Sequence, residues 1–178
     1  MLADDNTATY PVVFCFHGNG GTLFEAVDHG FINIYYDNEF MVVVPDNNME
    51  ADLVTGNITA YLDQMETEGY PIDRTRVYVT GMSKGNMSSM YAGIMCSDII
   101  AGVAGHSGSN FFFSLDEFAD DPVVEPLKAT AEEITAAHRM PLYIQTGECD
   151  MNQLPYSDAA LIGINAWLDM LLSGSRIN

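Results

Sequence analysis

Basic residues are scarce in this chain. Lysine and arginine together number six against 25 aspartates and glutamates, a formal net charge of −19 at pH 7. None stands before Arg74, by which point 13 acids have already passed. Nucleic-acid phosphates are held by basic surfaces, so this balance nearly excludes nucleic acid as a partner. The same field disfavours anionic membrane surfaces and polyanionic substrates. Solubility is the plain reading of so many acids. Long apolar runs are also missing, and none approaches the roughly 18 to 20 residues of a spanning helix. Cysteine is sparse: Cys15, Cys96 and Cys149 are an odd number with no C-x-x-C pair, which excludes a disulfide scaffold. Cys15 lies inside an apolar run and reads as a buried free thiol. The start, Met1 to Asp5, has no basic segment and no apolar core and is no signal peptide, which leaves the compartment open. No H-x-x-H or HExxH spacing exists, so a metal hydrolase has no support, and no other feature calls for a metal or cofactor.

What is present is a globular composition, 48% apolar over 178 residues. That length predicts one domain, residues 1–178, able to bury about 70% of its unfolded surface. Five short β-rich runs punctuate it: Pro11 to Phe16, Phe40 to Val44, Arg76 to Thr80, Ile100 to Ala104 and Met140 to Gln145. They are nearly continuously apolar rather than alternating, as strands buried on both faces of a parallel sheet are. Helical spacing separates them. Ile58, Tyr61, Leu62 and Met65 fall at i, i+3, i+4 and i+7, and Met87, Met90, Tyr91, Ile94 and Met95 repeat the pattern after Ser83. A mixed segment over 22–38, a looser pattern from Val124 to Ala137, and a terminal one from Ala160 to Leu171 complete the set. Strand and helix in alternation predict βαβ units, a mostly parallel sheet and helices on both faces, a three-layer α/β architecture.

Ligands of such sheets bind beyond the carboxyl ends of the strands. Four of the five strand ends here carry glycine and polar groups. Gly81-Met82-Ser83-Lys84-Gly85 is G-x-S-x-G, set directly between a strand run and a helix pattern. That context lifts a serine hydroxyl clear of the sheet as a nucleophile and aims a helix N-terminus at a developing oxyanion. A serine helix cap in a glycine-rich turn is the bland alternative. His17-Gly18-Asn19-Gly20-Gly21 follows the first run. The N–H of Lys84 and that of Asn19 or Gly20 are then the expected oxyanion donors. A phosphate-cradling loop is the alternative there, but no Lys-Ser/Thr follows and the dinucleotide spacing is absent.

PVVFCFHGNGG, ID-RTRVYVTGMSKGNMSSMYA and MPLYIQTGECD together resemble α/β-hydrolases of the polyhydroxybutyrate depolymerase and feruloyl esterase type. The resemblance runs from about Tyr10 to Trp167 and is most specific over Ile72 to Ala92. It implies an α/β-hydrolase sandwich, a serine esterase with a Ser-Asp-His triad, and a lean toward secretion. By match, Ser83 is the nucleophile and Asp150 the triad acid. Asp150 also follows a strand end on the same edge and keeps the order Ser…Asp…His, with Glu148 as the rival carboxylate. The triad histidine is not found after Asp150. The first run resembles the third strand of the family, so the reading expects a chain lacking its first strands and its last, incomplete at both ends.

Four histidines are present as possible substitutes. His17 is expected to fix its own loop by hydrogen bonding. His29 sits in the mixed segment and His138 at the amino end of the last run. His106 follows the fourth run on the active edge but precedes Asp150, and a bond to a turn carbonyl is its expected role. Phe111-Phe112-Phe113 reads equally as an acyl-pocket wall or a loop anchor. The activity implied is ester hydrolysis through an acyl-enzyme, on feruloyl or acetyl carbohydrate esters or hydroxyalkanoate polyesters. The partner is then a small-molecule or polymer ester, with oligomeric state open. The rival is a non-catalytic α/β-hydrolase-like module with a broken triad. A peptidase or acyltransferase would use the same residues.

Overall fold

The computed structural model describes residues 8–18, 21–22, 24, 39–45, 51–107 and 141–145. In chain order they form β1 (Tyr10–Phe16), β2 (Met41–Val43), α1 (Ala51–Thr67), β3 (Ile72–Met82), α2 (Lys84–Met95), β4 (Ile100–His106) and β5 (Leu142–Gln145). The strands make one sheet in the order β2-β1-β3-β4-β5, and every neighbouring pair is parallel. All five apolar runs are therefore strands, and both helices with strong 3.6-residue spacing are helices. The expected segments at 22–38, 124–137 and 160–171 lie outside the described residues, apart from Thr22 and Phe24.

Register aligns the core in rows across the sheet. Phe14 pairs with Val43 on one side and Val79 on the other, Val79 with Val103, and Val103 with Leu142. Successive residues of a strand alternate faces, so this row and the Phe16-Gly81-Gly105 row share one face. Both described helices pack there. Tyr61 of α1 meets Phe14 at a ring-centroid distance of 6.3 Å, and Ile58, Leu62 and Met90 are fully buried with Phe14, Val12, Val77 and Val79. Each such side chain removed from water contributes about 1.5–3 kcal/mol. Consecutive rightward crossovers of one hand place their helices on one face, which is why α1 and α2 lie together.

The structure extends two elements beyond their apolar signals. Helix α1 begins at Ala51, a full two turns before Ile58. It ends in a Schellman pair: Tyr70 N donates to Met65 O at 2.9 Å, Gly69 N to Glu66 O at 3.0 Å, with Gly69 at φ 83°. Strand β3 starts at Ile72 rather than Arg76. Its polar beginning is held at the amino edge of the sheet by Arg74, which pairs with Asp63 and Glu66 of α1, and by Arg76, which pairs with Asp73. Arg76 also donates to Thr9 O at 2.8 Å. The basic residues of β3 thus serve the edge opposite the site.

Candidate active site

Four strand ends meet at the carboxyl edge. Phe16, Gly81 and Gly105 lie in one row, and Met82 pairs with His106, which pairs with Gln145. The chain leaves β3 at Ser83 and enters α2 one residue later. Ser83 has φ 56° and ψ −120°. Positive φ is costly for any residue with a Cβ, by about 1–3 kcal/mol where it persists. A serine that caps a helix takes β-region angles and lends its oxygen to the helix N–H groups. Ser83 has neither property, since its side chain makes no cap hydrogen bond. The cap alternative is thereby removed. Its main chain is fixed at both ends, with Ser83 N donating to His106 O at 3.0 Å and Asn86 N donating to Ser83 O at 3.1 Å.

The glycines of the motif have a steric reason. A Cβ on Gly85 would run into Phe16 O and the carbonyl of His17, and one on Gly81 into the carbonyl of Gly85 and Phe16 O. Helix α2 therefore presses its first turn onto the ends of β1 and β3. Gly105 does the same for β4, where a Cβ would strike Oδ1 of the fully buried Asn86. This third close approach had no signal in the sequence beyond a glycine at a strand end.

The turn after β1 is closed by its own hydrogen bonds. Gly18 O accepts from Gly21 N at 3.1 Å and from the His17 ring, whose Nδ1 lies at 2.8 Å. His17 is buried and fixes its loop as expected. The turn brackets Asn19 and Gly20, which themselves lie outside the described residues, as do Glu148, Asp150, His29, His138 and Phe111 to Phe113. Of the expected site residues, then, Ser83 and Lys84 are located, at the carboxyl end of β3 and the first turn of α2.

His106 departs from its expected role. Its Nδ1 lies 3.3 Å from Oε1 of the Gln145 side chain, and its ring is tilted 55° against Tyr143 at 6.1 Å. The partner is a side-chain amide on the neighbouring strand rather than a turn carbonyl, because the Met82-His106-Gln145 row brings the two side chains to the same face. What His106 gives the turn is its own backbone carbonyl, which accepts the Ser83 N–H. Cys15 and Cys96 are free and buried. Burial pushes the Cys15 thiol up to about 12, and burial with the nearby Asp98 charge pushes Cys96 to about 11. Neither is a thiolate nucleophile at neutral pH.

No family model matches this sequence, and no curated protein does. Solved structures do. A ferulic acid esterase superimposes with a TM-score of 0.69 at 16% identity, over 94% of this chain and 75% of its own. The S-formylglutathione hydrolase of Staphylococcus aureus gives 0.60 at 15%, over 92% and 76%. A ferulic acid esterase from Anaeromyces mucronatus, in complex with ferulic acid, gives 0.52 at 20%, over 89% and 80%. At these identities the likeness establishes architecture. The parallel five-stranded sheet, the strand–serine–helix turn and these superpositions together make the chain an α/β-hydrolase fold.

Proposed function

We propose that the protein is a serine esterase that works through an acyl-enzyme. The observation that carries the reading is Ser83 itself, held at φ 56° between β3 and α2 with its hydroxyl uncommitted to the helix. A strained serine at this position of this fold is a nucleophile elbow. In the mechanism, Ser83 Oγ attacks the ester carbonyl. The N–H of Lys84 and that of Asn19 or Gly20 receive the oxyanion, since the Ser83 N–H is already held by His106 O. Asp150 orients a histidine that takes the Ser83 proton and returns it to the departing alcohol. Water then releases the acid from the acyl-serine. The substrates proposed are carboxylic esters of the feruloyl, acetyl or hydroxyalkanoate kind. Support comes from the resemblance of the motifs and from the solved neighbours, among them a ferulic acid esterase with ferulic acid bound.

Turnover of p-nitrophenyl acetate by the protein as its gene encodes it, with and without Ser83→Ala, tests the reading. Fluorophosphonate labelling followed by peptide mapping adds the site. The expected result is Ser83-dependent turnover and a label on Ser83. Turnover that survives Ser83→Ala would overturn the mechanism. Absence of both turnover and label would favour a non-catalytic module that keeps the turn.

A further inference from the structure

Among the described residues, two other than glycine have positive φ, and both are serines: Ser83 at 56° and Ser107 at 44°. They occupy equivalent places on neighbouring strands. Met82 and His106 are register partners, so each serine is the first residue past the same rung. Adjacent strands stand about 4.8 Å apart. The two turns are also bonded, Ser83 N to His106 O at 3.0 Å, and Ser107 is fixed on its other side by donation of its N–H to Gln145 O at 2.8 Å.

Glycine would occupy φ 44° without cost, and a glycine stands one position later, at Gly108. Serine at 107 therefore carries a conformational cost that glycine would not. Strained non-glycine residues persist where the surrounding structure over-determines them, and they gather at active sites. Among the described residues the Ser107 hydroxyl makes no hydrogen bond that would account for it structurally. Its N–H is spent on Gln145, so it cannot serve as an oxyanion donor. Lys84, the described member of the proposed oxyanion donors, lies on the α2 side of Ser83. A carbonyl oxygen directed there turns the rest of the ester toward β4, where Ser107 stands half-buried.

We infer that Ser107 is a substrate-contacting residue of the Ser83 site, its hydroxyl hydrogen-bonding the part of the bound ester that lies away from the oxyanion turn. This rests on the serine-esterase reading. Ser107 takes no part in bond making: it forms no covalent link and moves no proton.

The test compares Ser107→Ala with Ser107→Gly in the protein as its gene encodes it. Both remove the hydroxyl, but only glycine relieves φ 44°. Steady-state kinetics on p-nitrophenyl acetate and thermal unfolding are measured for parent, both variants and Ser83→Ala. Expected is a similar loss of kcat/KM in both, about three- to tenfold, the worth of one neutral hydrogen bond. Ser107→Gly should melt above Ser107→Ala while remaining equally impaired. A merely structural serine cannot give that combination, since the variant with the better fold would then be the better enzyme. Unchanged kcat/KM in both variants, a loss confined to one, or losses that track melting temperature would each overturn the inference. Ser83-dependent turnover indifferent to Ser107 removes the inference alone. A parent without Ser83-dependent turnover removes it together with the esterase reading.

Discussion

At the scale of single residues, the G-x-S-x-G turn was legible because its glycines answer a steric demand that recurs wherever a helix is pressed onto a strand end. Gly81 and Gly85 were marked by the motif, and their collisions with Phe16, His17 and one another show why. Backbone angle was not legible. Nothing in the string Gly-His-Ser-Gly states that Ser107 takes φ 44°, because serine is tolerated in many conformations and φ is imposed by the strand ends around it. The partner of His106 was missed for a related reason, since it depends on a register that places Gln145 beside it. The strain at Ser83 yields a prediction independent of any substrate. Ser83→Ala keeps a Cβ at φ 56° and should leave stability near the parent value. Ser83→Gly removes the conflict and should stabilise by about 1 kcal/mol relative to Ser83→Ala, the low end of the cost of such a conformation. Glycine's greater unfolded-state entropy opposes this and holds the gain to the low end. Urea unfolding of the two variants measures the difference. Equal midpoints would mean that the turn relaxes and that Ser83 is not strained in solution.

At the scale of elements, continuous apolar runs announced all five strands, although among the described residues burial on both faces is not uniform: β5 alternates half-buried and exposed, with Tyr143 exposed. The same signal under-reads an element wherever it leaves the core. Strand β3 opens with Asp73, Arg74 and Thr75, polar residues at the amino edge whose place is set by ion pairs and by Tyr10 facing Ile72. That edge has its own pH dependence. Hydrogen bonds from the Thr75 hydroxyl, then the Arg76 guanidinium and the Thr75 N–H, hold the Asp73 carboxyl down at about 2 against an ordinary 3.8. A folded-state pKa below the unfolded one means that the charged form is favoured by folding. The contribution is complete above the unfolded value and is lost as pH falls from about 4 toward 2. Asp73→Asn should therefore unfold at lower urea than the parent at pH 6, and the gap should close by about pH 2. Because Asp73 is only half-buried and still meets solvent, the gap should be small and should shrink in salt. A gap constant from pH 6 to pH 2 would assign it to packing rather than charge.

At the scale of the whole molecule, a net charge of −19 bears on what reaches the site. Among the described residues the basic side chains are Arg74, Arg76 and Lys84, and the two arginines are neutralised at the edge remote from Ser83. Lys84, beside Ser83, is the basic residue of the described carboxyl edge. An approaching anion thus meets a net repulsive field, with the Lys84 ammonium as the described basic group nearest Ser83. Lowering ionic strength from about 0.15 M to about 0.01 M lengthens the screening distance from about 8 Å to about 30 Å, so the field of the whole chain is felt at the site. For an anionic ester such as mono-p-nitrophenyl succinate, kcat/KM should fall several-fold over that range, with the change in KM. For neutral p-nitrophenyl acetate it should stay flat, because a neutral molecule is not steered. The two esters share a leaving group, so their ratio isolates charge from chemistry. An anionic ester whose kcat/KM instead rises at low salt would place Lys84 in control of entry, with the distant acids too well screened to matter. The sign of the salt dependence therefore decides between the molecule's total charge and its local exception.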